Sequence, residues 1–94
     1  IDATRRAQTL QPTPTLQVNG SQVLLTIPQH AGATGLVHFY RPSDAGLDRG
    51  IPLQLDAQGR QAIEVGDYAR GAWRIQATWT YSNLNYRLEN LTIF

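Results

Sequence analysis

Residues 72–82, AWRIQATWTYS, alternate with a period of two. Trp73, Ile75, Ala77, Trp79 and Tyr81 fall on one side, and Arg74, Gln76, Thr78 and Thr80 on the other. A helix advances about 100° per residue and would scatter those aromatic rings around its circumference, whereas a strand stacks them on one face. The stretch predicts a half-buried strand, with Trp73, Ile75, Trp79 and Tyr81 as core residues. Such a strand is stable only under a second apolar layer.

The same period recurs along the chain. SQVLLTI (21–27) turns Val23, Leu25 and Ile27 inward, and IPLQLD (51–56) does so with Ile51, Leu53 and Leu55. Residues 16–18, 35–41, 60–65 and 86–94 complete about seven short strands. Asn19-Gly20 is a strong hairpin signal because both residue types accept left-handed backbone angles. Ala57-Gln58-Gly59 and Asn83-Leu84-Asn85 read as further hairpin loops. In the last strand Tyr86 and Leu88 share one phase and Leu91 and Ile93 the other, which predicts a bulge near Asn90. Short antiparallel strands at roughly ten-residue spacing predict an all-β, immunoglobulin-like β-sandwich. Residues 1–14 differ: they are polar, hold the Arg5-Arg6 pair and end in Pro-x-Pro. They read as a lead-in or juxtamembrane linker, with the sandwich domain spanning residues 15–94. A short helix within residues 2–10 is marginal by itself.

Several functions are disfavoured. Eight Arg, no Lys and seven acids give a net charge of +1, and the Arg residues are scattered, so no stripe tracks nucleic-acid phosphates. Cysteine is absent, which removes disulfides, thiolate metal sites and redox motifs. No apolar run approaches the ~20 residues that span a bilayer. Methionine is absent too, so any anchor or signal is expected upstream of Ile1. His30 and His38 are the weak metal candidates, lacking the Cys or Met that copper favours. Ser21, Ser43 and Ser82 sit in turn contexts without a nucleophile elbow. Asp44 with Asp48, and Asp56 with Glu64 across a hairpin, are the conceivable carboxylate pairs, but an 80-residue sandwich offers no deep cleft for them. No catalytic residue and no cofactor is expected.

The charged loop at residues 41–50, RPSDAGLDRG, is the remaining candidate site. Pro42 lacks an N–H and cannot continue a ladder. Ser43 or Asp44 can set the turn by accepting backbone N–H groups. Arg41 is expected to fork onto Asp44 or Asp48 and so fix a crossover between sheets. The alternative is a shaped epitope made of Arg41, Pro42, Ser43, Asp44 and Asp48. Tyr68, in GDYARGAW, is a candidate corner residue that ties its loop down. Trp73 and Trp79, if exposed, would suit a sugar.

At RPSDAGLD, IPLQLDAQGRQAI and GAWRIQATWTYSNLNYRLE the chain resembles the FixH family. The matching residues are Tyr40 to Asp44, Leu47-Asp48, Pro52-Leu53, Gly71-x-Trp73, Trp79 and Tyr86, across about residues 15–94. The resemblance implies a protein anchored by one N-terminal membrane helix, with its C-terminal domain on the periplasmic side of the inner membrane. It also implies a non-enzymatic accessory role in making a cbb3-type haem–copper cytochrome oxidase. The implied partners are oxidase subunits or the assembly machinery around a copper ATPase. The alternatives left open are a periplasmic copper carrier using His30 and His38, and a carbohydrate-binding module.

Overall fold

The computed structural model describes residues 2–10, 13–43 and 45–94. A short helix, α1 (Asp2–Gln8), precedes seven strands: β1 (Thr15–Asn19), β2 (Gln22–Thr26), β3 (Thr34–Tyr40), β4 (Arg49–Pro52), β5 (Arg60–Glu64), β6 (Ala72–Tyr81) and β7 (Leu84–Ile93). They form two antiparallel sheets, ordered β1-β2-β5 and β4-β3-β6-β7. Period-two sequences can bury only one face, so the two apolar faces close on each other. Val23, Leu25 and Ile63 from the first sheet meet Val37, Phe39, Trp73, Ile75, Ala77 and Trp79 from the second. Tyr81 is half-buried at the end of its strand.

The all-β sandwich of seven strands agrees with the sequence reading, but the strand order refines it. A constant-type immunoglobulin domain pairs its fourth strand with its fifth. Here β4 pairs with β3, through Leu36↔Pro52 to Phe39↔Arg49. The 41–48 segment is therefore a turn within one sheet, not the crossover between sheets. The crossover follows at residues 53–59, so Ala57-Gln58-Gly59 ends a passage between sheets and is not a hairpin loop. Gln61 braces its start, accepting the Gln54 N–H at 2.9 Å and donating to the Pro52 carbonyl at 3.2 Å. Asp56 closes its far end by accepting the N–H groups of Gln58 and Arg60.

Two further expectations are corrected. The β6–β7 turn is Ser82-Asn83, both at positive φ (52° and 64°), and Leu84 and Asn85 already belong to β7. Two left-handed residues match the right-handed twist of the strands, so this shorter turn wins. The bulge near Asn90 is absent, since the register runs unbroken from Tyr81↔Leu84 to Ala72↔Ile93. Leu91 and Ile93 are left on the outer face, 67% and 77% exposed. Finally, α1 is held by the sheet. Ala7 joins the buried core, Leu10 packs on it, and Arg6 donates to the Asn85 carbonyl while lying 5.9 Å from the Tyr86 ring. Tertiary contact stabilises a helix too short to persist alone.

Candidate functional site

The charged loop is organised by Arg41, at the end of β3. Its backbone N–H donates to Asp48 Oδ1 at 2.8 Å, which draws the chain back towards β4. Its guanidinium reaches across to the start of β6, donating to the carbonyls of Arg70 (2.6 Å) and Ala72 (3.3 Å). The same group lies 5.4 Å from the Trp73 ring centroid. Gly71 completes the seat: its φ is +121°, and a Cβ there would come within 2.9 Å of both terminal guanidinium nitrogens. Asp48 thus takes the backbone of Arg41 rather than its side chain, because the side chain finds better-placed carbonyls on Arg70, just before β6, and on Ala72, its first residue. Asp44 lies outside the described residues. Pro42 and Ser43 are exposed.

A second layer of this end is aromatic. Tyr68 is buried against Phe39 (5.2 Å) and Trp73 (5.4 Å), and burial pushes its hydroxyl above the ordinary value of 10.0. Arg49 covers it at 4.3 Å while pairing loosely with Asp67 at 3.7 Å. The bond that ties the 66–71 loop to its strand comes from the Trp73 indole Nε1, which donates to the Ala69 carbonyl at 2.7 Å.

His30 and His38 do not converge. His30, 5% exposed, stacks on Tyr81 at 4.1 Å and meets the edge of Tyr86 at 4.8 Å. Its Nδ1 accepts the Trp79 indole proton at 3.1 Å. Desolvation lowers its pKa below the ordinary 6.5, and the bond needs an unprotonated Nδ1. His38 lies on the outer face of β3, tilted against Tyr40 at 5.4 Å and close over Gly50. Asp56 and Glu64 separate as well, whereas the pairing of Asp44 with Asp48 falls outside the described residues. Asp56 caps the turn before β5, and Glu64, at the other end of that strand, accepts from Gln22. Trp73 and Trp79 are both buried, so neither offers a platform to a sugar.

Sequence reasoning missed the carbonyl seat of Arg41 and the edge of β7. Carbonyls carry no residue signature, so Arg70 and Ala72 could not be singled out. Gly71 before an aromatic strand was the available hint. Leu91 and Ile93 were visible but assigned inward.

These features define a small two-sheet β domain with a clamped charged loop. Among the described residues no group of three or more His, Asp or Glu could hold a metal ion. The chain belongs to the FixH family, whose model matches residues 1–91. The match takes in α1 together with the strands, as the docking of Ala7 and Arg6 would require. No curated protein and no solved structure matches. No described helix is long and apolar enough to cross a membrane.

Proposed function

We propose that this chain is the extracytoplasmic domain of a non-enzymatic accessory factor for a cbb3-type haem–copper oxidase, working by binding protein. Its partners are oxidase subunits or the copper-ATPase assembly machinery. It reaches them from the periplasmic side of the inner membrane, carried by an N-terminal membrane helix. The observation that carries this reading is the FixH match over residues 1–91. The charged loop adds support. Arg41 and Asp48 hydrogen-bond to backbone groups and so brace the loop, which suits a held scaffold.

The copper-carrier reading is less favoured. His30 Nδ1 is occupied by Trp79 and its ring is enclosed by Tyr81 and Tyr86, while His38 lies on the far face of the same sheet. A copper ion would have to displace an internal hydrogen bond to reach the first and could not bridge to the second.

The test is affinity purification of the tagged, membrane-borne protein from detergent extracts of cells making the oxidase. Oxidase subunits or the copper ATPase are expected in the eluate after chemical cross-linking. Their absence, with the tagged protein recovered intact, would reject the reading.

A further inference from the structure

The structure leaves one sheet edge open. Gly71 and Phe94 exchange both backbone bonds at 2.9 Å, continuing the β6–β7 ladder. In an antiparallel pair such exchanges recur at every second residue. Thr92, Asn90, Leu88 and Tyr86 therefore bond β6, whereas the N–H and C=O groups of Ile93, Leu91, Glu89, Arg87 and Asn85 point to the free side. Arg6 of α1 occupies the Asn85 carbonyl. Beyond the helix, Glu89, Leu91 and Ile93 present a row with no backbone partner among the described residues.

The other edges are defended. β4 is four residues long and ends at Pro52, and β1 and β5 have five residues each, β5 opening on Arg60 and closing on Glu64. β7 has ten residues, no proline, no bulge, and three exposed apolar side chains, of which Leu91 and Ile93 stand at alternate positions beyond α1. Short strands, prolines and charges are the usual protections of an edge, and where α1 stops this one carries a single charge of that kind, Glu89, already paired with Arg87. The strip leads into a groove of about 320 Å³ between Val18, Gly66, Tyr68, Arg70, Ile93 and Phe94. Val18 lies opposite the fully buried Val23 and belongs to the inward phase, yet it is 41% exposed because nothing covers it there. Two cations flank the path. Arg74 faces Leu91 across the ladder and Arg70 lines the groove, and neither is in an ion pair among the described residues.

We infer that the free edge of β7 from Glu89 to Ile93 is the docking surface of this domain, and that it takes an extended segment of a partner protein as an added strand. The segment carries apolar side chains at alternate positions, to lie beside Leu91 and Ile93, and carboxylates that meet Arg74 and Arg70. Backbone bonding supplies the register, and the side-chain alternation and charge supply the choice of partner. The inference rests on the protein-binding role proposed above and names its surface.

The probe is a blocked eight-residue peptide alternating valine with threonine and bearing a glutamate at each end, titrated into the full chain by NMR. The amide signals of Leu91 and Ile93 are expected to shift most and to exchange more slowly with solvent. A peptide ending in lysines should bind at least tenfold more weakly. Leu91→Pro removes a free-side N–H without touching the β6 ladder and should abolish the shifts while the melting curve persists. Leu91→Lys serves if the proline variant does not fold, and should weaken binding by a similar factor. Shifts centred elsewhere, equal binding by a folded Leu91 variant, or sedimentation of the free chain as a dimer joined through β7 would each overturn the inference; the last would make a second copy the occupant. Failure of the peptide with successful oxidase co-purification rejects the surface alone. The reverse outcome rejects the oxidase partner alone.

Discussion

Arg41→Ala tests how the charged loop is held. The side chain makes two hydrogen bonds from a charged donor to the carbonyls of Arg70 and Ala72, and is half-buried. At that exposure each bond contributes about 1 kcal/mol. The approach to the Trp73 ring adds about 0.5–1 kcal/mol. Against this, the Arg41 Nε is buried with no hydrogen-bond partner among the described residues, and removing it recovers part of the total. The balance is a loss of about 2 kcal/mol, or roughly 8–16 °C in Tm for a domain of this size. Urea unfolding followed by tryptophan emission measures it directly. Arg41→Lys should recover less than half, because one ammonium cannot fork onto two carbonyls. Asp48→Ala should cost about 1 kcal/mol by stripping the acceptor of the Arg41 N–H, and Asp48→Asn less, since it keeps an acceptor. If Arg41→Ala unfolds within ~0.5 kcal/mol of the parent, the ordinary range for an unremarkable surface change, the clamp does not exist as described.

Gly35→Ala should prevent stable folding, since its Cβ would lie 2.0 Å from the Thr78 carbonyl oxygen and 2.7 Å from the Trp79 Cα, both on the neighbouring strand; soluble yield and circular dichroism read the outcome. His30 is more easily protonated in the unfolded chain than in the fold, so stability is full above about pH 6.5 and declines as pH falls below that value, by at most about 1.4 kcal/mol per pH unit. His30→Gln, which keeps an acceptor for Trp79, should flatten that dependence in thermal melts between pH 7 and pH 5. Asn83→Gly should stabilise by about 0.5 kcal/mol, because the turn holds residue 83 at φ 64°, and denaturant midpoints would show it.

The layers of the fold were legible where alternation is strict. β6 carries nine consecutive residues in phase, from Trp73 to Tyr81, and β2 brings Val23, Leu25 and Ile27 to one face, so both could be oriented without knowing their neighbours. Pairing was less legible, because the partner of β4 depends on how tightly Arg41 and Asp48 fold the preceding turn. β7 misled for a different reason. Its apolar residues change phase after Leu88, and burying all of them required a bulge that the unbroken ladder does not make. The assumption that apolar means inward failed at Leu91 and Ile93, and that failure exposes the open edge. The lead-in looked polar and separate because few of its described residues, Ala7 and Leu10 among them, pack into the core.

The amount of assembled cbb3-type oxidase in membranes tests the account at its centre. Haem staining of native gels, from cells lacking this protein and from cells given back the full-length chain, provides the measure. The account predicts a strong loss of assembled oxidase without the protein and its return with the intact chain. Normal oxidase levels in the deficient cells would contradict it.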